Sequence, residues 1–193
     1  MNLTLIMKQL KAPLILLFSC ICYTSFSQNS NTKMDPDKSI IRNAEASGNH
    51  KLLLAAVRAS DLEKTLDNDG PFTVFTPSDM NFNSSTKDKV TQLINTNDIK
   101  ELQTLLGYHI IAGNLTAVKI LKALSRGNGV AKFTTIRGDI LTATMKGIDI
   151  ILTDKNGNKS VISKADFNQC NGVIHVIDSI TVKKDKKLKA TRI

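Results

Sequence analysis

The residue pattern of this chain changes once, near Val130, and that change restricts the fold more than any other feature. Before it, apolar residues recur at helical spacing. The groups are Ile40, Ile41 and Ala44; Leu52, Leu53, Ala56 and Val57; Val90, Leu93 and Ile94; Ile99, Leu102, Leu105 and Leu106; and Val118, Leu121 and Leu124. A residue three or four positions on returns to the same helix face, so each group reads as one buried stripe. After the change, runs rich in Ile, Val and Thr occupy 132–136, 140–145, 148–153, 160–163 and 172–182. Gly138-Asp139, Lys146-Gly147 and Asn156-Gly157 separate the first of them, and such pairs accept the backbone of tight hairpin turns. One earlier segment, Phe72 to Thr76, alternates like a half-buried strand and stops at Pro77. Helices followed by a β-meander predict an α+β domain rather than a βαβ sandwich.

Local punctuation sharpens the helices. Asp35-Pro36 reads as an N-cap followed by proline in the first turn, with Gly48 as the stop. Asn49 is placed to cap the next helix, and Ser60-Asp61-Leu62-Glu63 reads as a capping box. Asn97 or Asp98, and then Thr116, are caps for the later helices.

The ends of the chain read differently from its body. Residues 1–27 look like a signal peptide: Lys8 and Lys11, an apolar run from Leu14 to Tyr23, then Ser25 and Ser27 before a cut at Gln28. Leu17-Phe18-Ser19-Cys20 offers a second outcome, lipidation at Cys20. The leader has a bacterial style. Residues 28–34 read as a flexible leader, 35–182 as the folded domain and 183–193 as a basic tail. With the signal peptide removed, Cys170 is the only cysteine left, so the core must hold the fold without an intramolecular disulfide.

Removing Lys8 and Lys11 lowers the formal charge from +9 to +7. Much of the remainder is the tail, with Lys183, Lys184, Lys186, Lys187 and Lys189. The near-neutral body argues against a nucleic-acid-binding face. The tail reads as a solvated segment, with contact to an anionic envelope polymer as its functional reading. Aromatic residues are 5% and Trp is absent, so stacking platforms are thinly supplied.

Three segments in order carry a family resemblance. Gly70-Pro71-Phe72-Thr73-Val74-Phe75-Thr76-Pro77-Ser78-Asp79 resembles the first conserved block of the fasciclin (FAS1) family. Tyr108-His109 after a leucine-rich helix is similar to its Tyr-His motif, and Asn171-Gly172-Val173-Ile174-His175-Val176-Ile177-Asp178 is similar to its second block. Asn81 before Phe82 departs from the family's usual Ala, and the segment Asn83-Ser84-Ser85 makes the following helix look short and polar.

The resemblance implies a β-wedge with helices packed on it, outside the cytoplasm. It also implies a role in cell adhesion or in matrix or envelope contact, through proteins or polysaccharides, without enzymatic activity, cofactor or metal. A minority branch carries carotenoids, so a carrier of an apolar small molecule is the alternative. The motif residues Thr76, Pro77, Asp79, Tyr108, His109, Asn171, Gly172 and His175 are implied to be mainly structural.

Candidate chemistry is sparse. The histidines are His50, His109 and His175. His50 reads as solvated at a helix start, and the other two as core imidazoles bonded to backbone. No Gly-x-Ser-x-Gly turn accompanies them. Tyr108, set among leucines and isoleucines, is expected to be buried. Asp166-Phe167 stands where animal relatives carry an adhesion motif, and Asp166 also suits a turn. Arg137-Gly138-Asp139 is an integrin-type tripeptide on a hairpin tip, and Gly-Asp is also ordinary turn chemistry. Cys170 is expected to be a small buried apolar group.

Overall fold

The structure, a computed structural model, describes residues 34–180. The leader with Cys20, and the basic tail, lie outside the described residues. Helices α1 (Ile40–Ser47), α2 (Lys51–Ala59) and α3 (Glu63–Asn68) precede strand β1 (Phe72–Thr76). Helices α4 (Ser84–Asn95) and α5 (Ile99–Gly107), strand β2 (Ile110–Ala112) and helix α6 (Ala117–Arg126) follow. Strands β3 (Val130–Thr134), β4 (Ile140–Lys146), β5 (Asp149–Thr153), β6 (Lys159–Gln169) and β7 (Gly172–Ile177) complete the domain.

The seven strands form one sheet in the order β2-β1-β7-β6-β5-β4-β3. From β3 to β7 it is the expected antiparallel meander, and β7 then pairs in parallel with β1, Phe75 lying opposite His175. The sheet curls until its two edges meet: Ile111 of β2 bridges to Thr135, and the Ile136 N–H donates to the Ile110 carbonyl at 2.9 Å. The result is a β-wedge backed by helices.

β1 separates two cores. Val74 joins Ile40, Val57, Leu102 and Ile174 in a cluster beneath the helices. Phe75 faces the other way, toward Ile120, Leu124, Leu141, Leu152 and Ile177 inside the wedge. β1 was expected to be half-buried; it is covered on both faces because helices lie on one side and the curled meander on the other.

Several local expectations are corrected. The first helix begins later than Asp35-Pro36: Ser39 caps it, its hydroxyl accepting from the Arg42 N–H. Asn49 does not cap α2. The Asp79 carboxylate does, accepting from the Lys51 N–H at 2.8 Å and the Leu52 N–H at 3.0 Å. The supposed capping box is absent, since the Ser60 hydroxyl donates back to the Val57 carbonyl and closes α2. α4 is a full twelve-residue helix, with Asn83 capping it through Thr86. β6 runs well beyond 160–163, and β7 stops at Ile177.

On α6 the buried residues are Ile120 and Leu124, while Val118 and Leu121 are 57% and 44% exposed. Three-residue spacing had suggested Val118, Leu121 and Leu124 as the inner face. Four-residue spacing instead turns the Ile120–Leu124 stripe, with Ala123 beside it, toward β3 and β4.

Candidate functional site

The polar motif side chains are largely occupied inside the fold. The Asn171 Oδ1 accepts from the Ile40 N–H at 2.9 Å, and its Nδ2 donates to the carbonyls of Leu66 at 2.8 Å and Asp69 at 3.0 Å. One side chain thereby ties the start of α1 and the end of α3 to the sheet. At Gly172 an added Cβ would stand 2.0 Å from the Phe72 carbonyl oxygen, so parallel pairing with β1 requires glycine there. Thr76 is buried and donates to the Pro77 carbonyl at 3.2 Å.

Two histidines are built into this framework. The His175 Nε2 lies 2.7 Å from the Leu115 carbonyl, and its Nδ1 accepts from the Asp166 N–H at 3.2 Å. That assignment places the proton on Nε2. The ring stacks on Phe75 at 5.3 Å between centroids. Burial depresses its pKa below the ordinary histidine value, opposed by the Leu115 hydrogen bond and Asp166. His50, expected to be solvated, is buried, with Nδ1 3.3 Å from the Pro77 carbonyl. Its pKa is also pushed down by burial, because the Pro77–Asp79 turn folds over the start of α2.

Tyr108 and His109 behave differently. They lie where α5 runs into β2, and neither is fully buried. Tyr108 was expected in the core. It instead lines a cleft of about 220 Å³ between α5 and the β5–β6 turn. The Lys155 ammonium sits over the Tyr108 ring, 4.9 Å from its centre. The same ammonium donates to Asp139 at 2.8 Å, an ion pair that raises the pKa of Lys155. The His109 ring makes no hydrogen bond to another described residue, contrary to the expected backbone partner. The surrounding protein desolvates the ring and pushes its pKa down to about 4, against the opposing pull of Asp154.

The cleft has an apolar floor of Phe75, Leu105, Leu141, Leu152 and Ile177. Its polar rim includes Glu101, Thr104, Asn156, Asn158 and Ser160. Asp154 organises the turn: its Oδ1 accepts from the N–H groups of Asn156 at 2.8 Å and Asn158 at 2.9 Å, and its Oδ2 accepts from Asn158 Nδ2 at 2.8 Å. The sequence marked Asn156-Gly157 only as a turn. Nothing in its spacing signalled that this turn would face Tyr108, because the two meet through the curl of the sheet.

The tripeptide stands beside the same cleft. Arg137-Gly138-Asp139 does form the β3–β4 turn, with Gly138 at φ 82°. Asp139 and the stem of Arg137 are folded onto the body. Asp139 is held by Lys155, and the Arg137 stem packs over Gly107, where an added Cβ would meet it at 2.3 Å. Asp166 and Phe167 lie elsewhere, at an irregularity of β6. Asp166 has φ 60°, and its carboxylate accepts from the Ala117 N–H at 2.7 Å at the start of α6, so it anchors that helix. Phe167 packs against the helical core. Cys170, expected to be buried, is exposed, because it falls on the β6–β7 turn, where its N–H donates to the Lys38 carbonyl at 3.0 Å.

Among the described residues no group of three or more His, Cys, Asp and Glu is placed to hold a metal, and no helix is long and apolar enough to cross a membrane. Among the described residues no histidine ring is hydrogen-bonded to a serine, threonine or cysteine side chain. An apolar gap beneath the helices measures about 30 Å³. Ordinary ligand pockets run from roughly 300 to 1,000 Å³, so a large apolar guest needs that core to open.

These features define a class: an α+β wedge whose motif polar groups cap and pin its own elements, with an accessible polar cleft. The chain belongs to the fasciclin family, and the Fasciclin domain model matches residues 48–183. Protein sll1483 of Synechocystis sp. is 30% identical over 151 residues, covering 78% of this chain and 77% of its own. The transforming growth factor-beta-induced protein ig-h3 of Sus scrofa is 28% identical over 134 residues, and the chain spans 17% of that protein's length. Among solved structures, a FAS1 domain pair from the insect cell adhesion molecule fasciclin I superposes with a TM-score of 0.65 at 20% identity, over 77% of this chain and 52% of that one. That likeness bears on the fold.

Proposed function

We propose that the chain is a secreted or surface-displayed module that mediates adhesion, or contact with an envelope or matrix, by binding without catalysis. Membership of the fasciclin family, known from adhesion proteins, is the observation that carries this reading. The partner is a surface or matrix protein or a polysaccharide. The leader at residues 1–27 serves export, with Cys20 as the alternative route to a lipid anchor. Lys183, Lys184, Lys186, Lys187 and Lys189 assist by contact with an anionic polymer, each contributing about 1 kcal/mol near such a surface.

The test compares residues 28–193 with a chain ending at Val182, binding each to bacterial envelope preparations across a salt series. Binding that persists in the shorter chain and at high salt places recognition on the folded domain. Binding that disappears with the tail makes the domain a passive support. Absence of binding by both refutes the adhesion reading.

A further inference from the structure

The cleft beside Tyr108 and His109 is balanced in charge. Lys89 and Lys155 stand against Glu101 and Asp154, so the lining selects neither an anion nor a cation. Lys155 is engaged by Asp139, and Asp154 by the amides of its own turn. The side chains of Glu101, His109 and Asn156 line the cleft and hydrogen-bond to no other described residue. His109 stays neutral because burial pushes it down to about 4, so its ring presents one donor and one acceptor. Beneath this rim Leu105 offers partly exposed hydrocarbon, backed by the buried side chains of Phe75, Leu141 and Ile177.

A complementary ligand is uncharged, carries donors and acceptors around its edge, and turns one apolar face downward. A pyranose ring has that anatomy, with hydroxyls around the perimeter and a face of C–H groups. The volume of about 220 Å³ equals that of about seven waters, the scale of a single ring rather than a folded peptide. Tyr108 is the only tyrosine among the described residues, and it stands in this cleft although aromatic residues are scarce along the chain.

We propose that the cleft binds one sugar unit of a glycan or polysaccharide, its floor taking the C–H face and its rim the hydroxyls. This deepens the adhesion reading and rests on it. Glu101 and Asn156 read hydroxyls directly, while Lys155 holds Tyr108 and the β3–β4 turn in place.

The test is saturation-transfer NMR on the full chain with N-acetylglucosamine, glucose, galactose and glucuronic acid at millimolar concentration. Transfer to the ring protons of at least one neutral sugar is expected. Glu101→Gln and Asn156→Ala alter exposed side chains that hydrogen-bond to no other described residue, and each is expected to weaken that sugar by about three- to tenfold. Lys132→Ala, remote on β3, leaves it unchanged. No transfer to any of the four sugars overturns the proposal, as does transfer that persists in the Glu101→Gln/Asn156→Ala double variant. Binding of glucuronic acid alone, lost with salt, overturns the balanced-charge argument. Envelope binding by a chain that ignores all four sugars refutes the cleft assignment only; loss of both refutes the adhesion reading with it.

Discussion

Asn171→Ala removes a side chain that makes three hydrogen bonds, to the start of α1 and the end of α3. The Ile40 N–H loses its acceptor at the start of α1, and the Leu66 and Asp69 carbonyls lose their donor at the end of α3. The bond to Asp69 is solvent-exposed and contributes little. The other two are partly buried. A typical hydrogen bond contributes about 1 kcal/mol net, and a buried donor left unpaired costs about 1–3 kcal/mol. The sum is about 2–4 kcal/mol, a large share of the ordinary 5–15 kcal/mol of a folded domain. At roughly 2–4 °C per kcal/mol, Tm falls by about 5–15 °C. Urea unfolding followed by circular dichroism gives the change in midpoint, and an unchanged slope shows that the unfolded state is the same. Asn171→Asp keeps the acceptor for Ile40 but sets a carboxylate oxygen against the Leu66 and Asp69 carbonyls, so it should cost at least as much as Asn171→Ala. A loss below about 0.5 kcal/mol for Asn171→Ala would refute the argument that this residue ties the helices to the sheet.

Three further outcomes follow from the same geometry. Replacing Asp79 with Ala uncaps α2 from across the chain and should cost about 1–2 kcal/mol, measured by the same denaturation; an unchanged midpoint sinks the capping role. Gly172→Ala places a methyl against the Phe72 carbonyl, so the variant should lose several kcal/mol or fail to fold, read from expression and near-ultraviolet dichroism; a stable variant shows that β1 and β7 can separate. Acid should destabilise the domain through its histidines. His50, His109 and His175 have folded pKa values below the unfolded 6.5, so the unfolded chain binds more protons between those limits and stability falls as pH drops below about 6.5. His109, at about 4, contributes up to about 3 kcal/mol of that loss by pH 4, and His109→Gln should flatten the stability–pH curve; an identical curve refutes its neutral, desolvated state.

Periodicity carried the fold class because it is a local property. The meander after Val130, the strand Phe72–Thr76 and the caps at Asp98 and Thr116 all follow from residues within a turn or two of one another. The motif blocks carried the family for a similar reason: Gly172 and Asn171 are fixed by backbone demands that few other residues meet. The failures share a cause. Asn49 and the Ser60–Glu63 segment were well placed to cap by local rules, yet the caps are decided by what folds against them, and Asp79 arrives from another part of the chain.

The same division applies to the candidate site. The sequence by itself determined an α+β fasciclin domain, its strand-forming segments, the turn that carries Arg137-Gly138-Asp139, and the scarcity of catalytic constellations. Only the tertiary structure decided that His50 is buried, that Cys170 is exposed, and that Tyr108 looks into a polar cleft rather than the core. It also decided that Asp139 of the tripeptide is held by Lys155 and that the Arg137 stem packs over Gly107. Hydrogen bonds and hydrophobic spacing are legible over four residues. The approach of Asp154–Asn158 to Tyr108 depends on how far a seven-stranded sheet curls, which is set by the sum of its packing and not by any one segment.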